Sequence, residues 1–581
     1  MCDRYIDIME KALGAYPEKR LSEIVDNAEK NGVCEHGFFR ITSVMGILIS
    51  KGRRKELMPL FLRAMDVSCE ALWKTDMTIE ENKSVGIDFA VKEIVFAYIE
   101  IEKSGIVKRE RLEKWFDGIK RIDWRKNYSS VAKSETDPVN NWGMYNAAGE
   151  YMREYIGAAN AEGYLDVQLA SQLLAVDENG MYRDPGCPML YDLASRTQFA
   201  VMLHFGYSGK WKNALDDALR KAGGLMLSLQ SVNGEIPFGG RSNRFLFNEA
   251  YLAACCEFEA ARYKREGNLK LAGEFKSAAR LATESIEKRL CKPVVKHVRN
   301  SFPQNSIFGL EDYAYFDKYM VSLASFIYIA YLFAEDDIKE EPCPAVRGGF
   351  VLRTSESFHK IAASACGYSI EIDTNADLHY DATGLGRIQF SGAPSEMILS
   401  EPFPKKPSYS IVNCLSTGLF KRIHAEDENP SFLSLSPVVA FSDGTEMRIA
   451  DLSGNVECKL DILQQSENNV SFDLIWKSPE FKGFSEIKES YVLSNSGVEI
   501  RASADLSENA RLIRYIPVIE TDGNDASSVS VTKSLVCVDY KGFKLKISGN
   551  EFFRVNKSFS NRDGIYNLLC CDGEYIRFVF S

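Results

Sequence analysis

Six short segments of the chain collect residue types that can do chemistry, and each precedes a run of residues with helical spacing. They are rich in Gly, Asn, His and aromatic residues, and they lie at 36–40, 84–88, 140–146, 184–192, 239–245 and 309–316. Their carboxylates can act as general acids and bases, their arginines can bind an anion, and their aromatic rings can pack on a flat ligand. We therefore treat these segments as the candidate site.

This combination of side chains is typical of a pocket for a sugar. Aromatic faces pack on the apolar face of a pyranose, amides bond its hydroxyls, and a pair of carboxylates can cleave a glycosidic bond. An arginine fork binds the carboxylate of a uronic acid through two parallel hydrogen bonds. Ion pairing with the neighbouring carboxylates is the alternative explanation for the arginines.

The residues that we predict to be catalytic are Asp192, Glu311 and Tyr191. One of the two carboxylates would protonate the glycosidic oxygen, while the other would activate water or attack the anomeric carbon. Each acid could instead only stabilise the start of its helix. The residues that we predict to bind the substrate are His36, Arg40, Asn141, Trp142, Arg196, Glu235, Arg241, Asn243, Tyr313 and Tyr315.

Helices in the first part of the chain must position these segments. From residue 1 to about 336, apolar residues recur at intervals of three and four, which predicts about a dozen amphipathic helices. The segments start roughly 50 residues apart, which is the length of two helices with their connections. Six such hairpins can close into an (α/α)6 toroid that brings all the segments to one rim. An open row of hairpins is the alternative, and it would leave them without a common pocket.

The second part of the chain predicts antiparallel β-sheets packed as a sandwich. The sequence Glu-Glu-Pro-Cys-Pro at 340–344 ends the helical spacing, and short alternating runs such as 367–373 follow it. We expect an α+β multidomain protein, with a catalytic toroid over 1–341 and a β-sandwich domain over 342–581.

Composition and charge exclude several other classes. The chain has 581 residues, of which 45% are hydrophobic and 26% charged, so a disordered scaffold is excluded. Its net charge of −11, without a basic run, argues against nucleic acid as a partner. The 14 cysteines lack the spacing of metal ligands, and the sequence Gly-Leu-Gly at 384–386 lacks the third glycine of a dinucleotide site. We therefore expect no metal and no other cofactor.

Two features of the sequence bear on the cellular compartment of the protein. The first sixteen residues carry several charges where a secretion signal needs an apolar stretch, and the apolar stretch 319–334 predicts a buried helix rather than a membrane span. Scattered cysteines indicate reduced thiols. We expect a cytoplasmic protein without a membrane partner, and the sequence does not predict its oligomeric state.

Four motifs carry a resemblance to a known family. They are Asn-Asn-Trp at 140–142, the run from Met181 to Asp192, Gly-Gly-Arg-Ser-Asn at 239–243 and Gly-Leu-Gly-Arg at 384–387. A helical toroid with these motifs, followed by a β-sandwich, resembles bacterial polysaccharide-degrading proteins. In particular it resembles glycoside hydrolase family 154, whose known activity is β-glucuronidase. The resemblance implies hydrolysis of a β-linked glucuronic acid, but glycosaminoglycan and alginate lyases share the same two-domain plan.

Two other functions remain open beside hydrolysis. A uronate lyase would need a group that neutralises the sugar carboxylate, such as Asn141 or Arg241, and a proton carrier, such as Tyr191, Tyr315 or His36. Trp142 follows Asn141, so the Asn-His pair of such lyases is missing. A glycan-binding protein without activity is the other alternative, which the many carboxylates argue against. We predict an exo-acting hydrolase that removes a terminal uronic acid from short oligosaccharides.

Overall fold

The computed structural model describes residues 1–83, 86–290, 316–405, 411–414, 420–423 and 431–581, with the backbone alone at 83, 411–414, 420–423, 556 and 558. The described residues form two compact units. The first contains 1–225, 246–290 and 316–341, and the second contains 226–245 and 342–581. The segment 239–245, which the sequence pattern groups with the helical hairpins, therefore lies in the second unit.

The described residues contain sixteen α-helices, and fifteen of them lie before residue 334. They are α1 (Cys2–Gly14), α2 (Glu18–Asn31), α3 (Gly37–Ser50), α4 (Met58–Lys74), α5 (Glu80–Lys83), α6 (Val91–Ser104), α7 (Arg109–Lys120), α8 (Trp124–Asn127), α9 (Asn141–Tyr155), α10 (Glu162–Leu173), α11 (Met189–His204), α12 (Lys212–Leu229), α13 (Asn248–Arg265), α14 (Leu269–Arg289), α15 (Phe316–Phe333) and the short α16 (Pro344–Arg347). The prediction of a helical first part is confirmed.

Six helices pack as a closed ring in the first unit: α3, α6, α9, α11, α13 and α15. Each contacts the next in this order, and α15 contacts α3. Other helices pack outside the ring, with α1 on α15, α4 on α3, α10 on α9 and α14 on α13. Gly46 permits the close approach of α3 to α4, because a Cβ there would lie 2.6 Å from the ring of Phe61. The assignment of six complete hairpins stays a prediction.

The ring helices run in the same direction. At one end, His36 before α3 contacts Phe89 before α6 and Tyr319 in the first turn of α15, with ring centroids 6.0 and 5.7 Å apart. At the other end, Lys51 after α3 lies over the ring of Tyr331 near the end of α15, at 5.0 Å. We call these the N-terminal end and the C-terminal end of the ring.

The helix α15 is apolar on almost every side because it lies inside this unit. Among the described helices, it is the one that is long and apolar enough to cross a membrane, yet 72% of it is buried. A helix that is hydrophobic all round is typical of a buried core element. The interpretation of 319–334 as a buried helix is confirmed.

The second unit is built from antiparallel strands. They are β1 (Phe350–Arg353), β2 (Lys360–Ala365), β3 (Tyr368–Asp373), β4 (Gly384–Phe390), β5 (Ile411–Cys414), β6 (Phe420–Ile423), β7 (Val438–Phe441), β8 (Glu446–Arg448), β9 (Glu457–Ser466), β10 (Asn469–Lys477), β11 (Ile487–Ser494), β12 (Gly497–Ala504), β13 (Ala510–Thr521), β14 (Ser528–Val531), β15 (Leu535–Tyr540), β16 (Phe543–Gly549), β17 (Phe553–Ser560), β18 (Ile565–Asp572) and β19 (Tyr575–Phe580).

These strands form four sheets. Their strand orders are β1-β2-β3-β4, β14-β15-β16-β19-β12-β11-β10-β9, β17-β18-β13-β7-β8 and β5-β6. One hydrophobic core joins the three larger sheets, with Ile361 of β2, Phe472 of β10 and Ile516 of β13 among its members. The alternation of buried and half-buried residues along β11 is typical of a strand with one face on such a core. The prediction of packed antiparallel sheets is confirmed.

Candidate functional site

Aromatic side chains line the N-terminal end of the ring. Phe89, in the turn before α6, contacts His36 at 6.0 Å, Trp142 at 4.8 Å and Tyr145 at 6.0 Å between ring centroids. Tyr319 contacts His36 from the other side. Trp142 is 39% exposed, so part of its ring is available to a ligand. The structure thus brings together His36 and Trp142, two of the residues that the sequence predicts to bind the substrate.

Arg40 lies one helical turn after His36 and determines the protonation and the tautomer of the His36 imidazole. Its Nη1 donates to Nδ1 of His36 at 3.0 Å and to Oγ of Ser322 at 2.8 Å. Because arginine can only donate, Nδ1 accepts and the neutral imidazole carries its proton on Nε2. Burial, with the nearby charge of Arg40, lowers the pKa of His36 well below its ordinary value. His36 is therefore neutral at pH 7 and can donate from Nε2.

Two charged residues and two tyrosines complete the layer that contains Arg40. Lys92 binds Glu93 with 2.7 Å between Nζ and Oε1 and lies 5.8 Å from the ring centroid of Tyr145. The hydroxyls of Tyr145 on α9 and Tyr251 on α13 hydrogen-bond each other. Burial lowers the pKa of Lys92. We call Arg40, Lys92, Glu93, Tyr145 and Tyr251 the polar floor of the ring; charges buried in this way are costly and often mark a functional site.

Four buried polar atoms on three of the ring helices have no hydrogen-bond partner among the described residues. They are Nε of Arg40, Oε2 of Glu93, Oγ of Ser195 and Oε1 of Gln198. An unsatisfied buried polar group costs about 1–3 kcal/mol. Water or the hydroxyls of a ligand would remove this cost, so these atoms suit a site that binds a polar molecule.

Asn141 connects two of the predicted segments. Oδ1 of Asp184 accepts from its backbone N–H and from its side-chain amide, both at 2.9 Å. Both residues are buried. The side chain of Asn140 caps the same helix by accepting from the N–H of Trp142 at 3.1 Å. The amide of Asn141 is therefore committed to Asp184, and its role toward a substrate stays a prediction.

Asp192 and Arg196 form an ion pair along α11. Nε and Nη2 of Arg196 donate to the two oxygens of Asp192 at 2.8 and 2.6 Å, and the N–H of Tyr182 donates to Oδ1 at 2.8 Å. Both side chains are buried. This geometry favours the ion-pairing explanation for this arginine, since its Nε and Nη2 both donate to Asp192. The catalytic role of Asp192 and the binding role of Arg196 stay predictions, as does the role of the half-buried Tyr191.

Three predicted site residues cannot be placed. Glu311, Tyr313 and Tyr315 lie outside the described residues. Their predicted roles in catalysis and in substrate binding stay predictions.

The other predicted residues lie in the second unit, on a loop with a strained backbone. Gly239 and Gly240 have φ angles of 138° and 77°, and Ser242 and Arg244 both have φ of 65°. The left-handed region is unfavourable for residues with a side chain, and such strain collects at functional sites. Arg241 of this loop is half-buried.

Hydrogen bonds within the second unit hold the rest of this loop. Glu235 accepts from Nη1 of Arg244 and Nε2 of Gln389, both at 3.0 Å. Nδ2 of Asn243 donates to Glu401 at 2.7 Å. Glu235 and Asn243 are buried with these partners. Substrate binding by Glu235, Arg241 and Asn243 stays a prediction.

Sequence reasoning missed several polar groups. Asp381 accepts from the N–H of Gly240 at 2.7 Å, and burial raises its pKa to about 7, which suits an acid or base at neutral pH. Asp381 stands just before the Gly-Leu-Gly-Arg motif at 384–387, but its own residue type and spacing carry no signal of a site. Lys92 and Glu93 were missed as well, because charges on an amphipathic helix are usually exposed to solvent. Among the described residues, no group of three or more His, Cys, Asp or Glu could hold a metal ion.

Comparisons with known proteins add little to this picture. No family model matches the chain, and no curated protein matches it. Among solved structures, the chain is similar to heparinase III, with 8% identity over 87% of this chain and 78% of the other and a TM-score of 0.34. It is similar to a GH127 β-L-arabinofuranosidase from Geobacillus stearothermophilus T6, with 11% identity over 100% and 98% and a TM-score of 0.38. Since these TM-scores lie below 0.5, neither similarity supports a conclusion about function, and membership of glycoside hydrolase family 154 stays a prediction.

Proposed function

We propose that the protein is a carbohydrate-active enzyme that acts on oligosaccharides containing a uronic acid. The observation that carries the proposal is the aromatic N-terminal end of the ring, with His36, Phe89 and Trp142 in contact above the buried Arg40. Aromatic faces suit the apolar face of a pyranose, and an arginine suits the carboxylate of the sugar. The unpartnered Nε of Arg40 and Oε2 of Glu93 in the polar floor suit sugar hydroxyls.

Hydrolysis that releases a terminal glucuronic acid is the reaction that we propose first. It needs two carboxyl groups, for which the sequence suggests Asp192 and Glu311. Asp192 could act only if its ion pair with Arg196 opened. We add Glu93 as a candidate, because it belongs to the polar floor and its Oε2 has no partner among the described residues. A cytoplasmic enzyme would meet short imported fragments, which favours exo action.

β-Elimination is the second candidate reaction. A lyase needs a group that neutralises the sugar carboxylate and a carrier for the C5 proton. Arg40 could supply the first, and the neutral His36 or the hydrogen-bonded hydroxyls of Tyr145 and Tyr251 could supply the second. This arrangement of described residues is the specific observation in favour of elimination.

One assay tests the proposal and separates the two reactions. The full chain is incubated with an aryl β-glucuronide and with a uronate-containing oligosaccharide, and both free sugar and the absorbance of a C4–C5 unsaturated uronate are followed. Release of saturated uronic acid supports hydrolysis, whereas the unsaturated product supports elimination. Turnover of neither substrate, with binding of one, would favour the glycan-binding protein and overturn the enzyme proposal.

The variant Trp142→Ala places the reaction at the N-terminal end of the ring. Because Trp142 is partly exposed, its loss should weaken substrate binding about tenfold without unfolding the protein. Trp142→Phe keeps a flat face and is the matched control, with turnover close to that of the unaltered protein. Equal activity of Trp142→Ala and the unaltered protein would show that the substrate binds elsewhere.

A further inference from the structure

The C-terminal end of the ring contains a pocket. Its volume is about 350 Å³, and residues from the ends of α6, α9, α11 and α15 line it. It therefore lies at the opposite end of the ring from Trp142 and His36. Its volume falls at the lower end of the range of small-molecule pockets, about 300–1,000 Å³. A single sugar ring or a molecule of similar size would fit.

Aromatic rings form the walls of this pocket. Phe205 contacts Tyr155 at 4.9 Å and Phe96 at 5.9 Å between ring centroids. Tyr155, which lines the pocket, is 49% exposed. The exposed part of its ring offers a flat surface beside the cavity.

Polar groups in the same pocket supply hydrogen-bond donors and acceptors. Glu100 accepts from the hydroxyl of Tyr328 at 3.0 Å and binds Nζ of Lys51 at 2.6 Å. A carboxylate offers about four acceptor positions, so Glu100 has capacity for a further donor. Lys103 is exposed at the edge of the pocket. His204 lines the pocket and is exposed to solvent on one side; partial desolvation of its ring lowers its pKa, so at pH 7 the neutral ring has one donor and one acceptor.

The charges of the pocket favour a neutral ligand. The ends of four helices would attract a cation, since the carbonyl ends carry partial negative charge. However, Lys51 and Lys103 already bring two ammonium groups to this end, and Lys51 compensates the charge of Glu100. Glu100 would repel an anion, and the two lysines would repel a cation. A neutral sugar with several hydroxyl groups would be repelled by neither kind of charge.

We propose that this pocket is a second carbohydrate site, which binds one neutral pyranose ring stacked on Tyr155 and hydrogen-bonded to Glu100 and Lys103. It is separate from the site of the proposed reaction and does not depend on which reaction occurs there. Its occupant would be a neutral sugar residue of a glycan.

Titration calorimetry on the full chain tests this proposal. The protein carries Trp142→Ala to weaken binding at the other end, and the probes are the methyl β-pyranosides of glucose and galactose. We expect one of them to bind, and we expect Tyr155→Ala to weaken that binding about tenfold. Tyr155→Phe, the matched control, should bind within about twofold of the parent, because the aromatic face remains. Lys103→Met should also weaken binding, because it removes a donor and keeps the aliphatic chain.

Other outcomes would overturn the proposal. They are binding of neither sugar, binding that is indifferent to Tyr155→Ala, or tighter binding of tetramethylammonium with the same dependence on Tyr155, which would identify a cation site. Circular dichroism of each variant checks folding. Turnover of the aryl glucuronide should be unchanged in Tyr155→Ala. If no glucuronide is turned over at all, the function proposed for the other end fails while this binding test still stands.

Discussion

The buried pair of Lys92 and Glu93 permits a test of whether the polar floor is kept for function rather than stability. Both side chains are almost fully inaccessible, at 0% and 2%, and one 2.7 Å hydrogen bond joins them. In Glu93→Gln, Lys92 would lose its countercharge while Arg40 remains nearby. Removing one partner of a buried pair costs about 3–5 kcal/mol of unfolding free energy.

Deprotonation of Lys92 sets an upper limit on this loss. To become neutral at pH 7, a lysine with an ordinary pKa of about 10.4 pays about 4.6 kcal/mol. The unfolded chain would then bind a proton that the folded variant does not, so the stability of the variant rises with pH. Between pH 7 and pH 9 the deficit should shrink by about 2.7 kcal/mol.

Urea unfolding, followed by the helical circular dichroism signal, measures this effect. Glu102→Gln on the same helix is the matched control, because Glu102 is exposed and its loss should change stability by less than about 0.5 kcal/mol. The double variant Lys92→Met with Glu93→Gln removes both charges, and its stability should return to within about 1 kcal/mol of the unaltered protein or exceed it. It should nevertheless fail to turn over a uronide. A Glu93→Gln protein as stable as the control, or a fully active double variant, would refute this reasoning.

Three further predictions concern ionisable groups outside the polar floor. Asp192→Asn leaves Arg196 buried without its countercharge and should cost about 3–5 kcal/mol in urea unfolding, whereas Asp217→Asn on the exposed side of α12 should cost less than about 0.5 kcal/mol. Burial raises the pKa of Asp381 to about 7, so the protonated carboxyl group stabilises the folded protein fully below pH 4, and this stabilisation is lost as the pH rises to 7. Asp381→Asn should therefore be more stable than the unaltered protein at pH 8. Equal stability of the two proteins at pH 8 would contradict the raised pKa. Partial desolvation lowers the pKa of His204 to about 4, but the side chain is also exposed and solvent screens the effect; the unaltered protein should therefore lose a little stability as the pH falls from about 6.5 to 4, and His204→Gln should show a smaller loss in this window.

Local periodicity was enough to predict the helices and strands. Met144, Ala148, Tyr151 and Met152 recur at three and four, and all of them are buried along α9. The regular spacing of the six polar segments also anticipated that 36–40 and 140–146 would lie at one end of parallel helices. In both cases the information is contained in neighbouring residues or in a simple repeat, because helix geometry converts spacing into position.

Contacts between residues far apart in the chain could not be predicted in this way. The loop 239–245 lies in the second unit because its partners come from later strands, as when Gly240 donates to Asp381. Lys92 and Glu93 look like solvent-facing charges in an amphipathic helix, and only the closure of the ring buries them. By contrast, the spacing of four between Asp192 and Arg196 was a readable signal of an ion pair along one helix.

The common direction of the ring helices gives its two ends different electrostatic properties. Six helices present their N-terminal N–H groups at the end that contains His36 and Trp142, and each carries a partial positive charge there. Arg40 and Lys92 lie just below this end and add two full charges, of which Glu93 compensates one. At the other end the carbonyl groups carry partial negative charge; Lys51 compensates Glu100, and Lys103 offsets part of the charge of the carbonyl groups. These charges support the proposals of an anionic sugar at the N-terminal end and a neutral one at the C-terminal end, because both rest on the same parallel arrangement of helices.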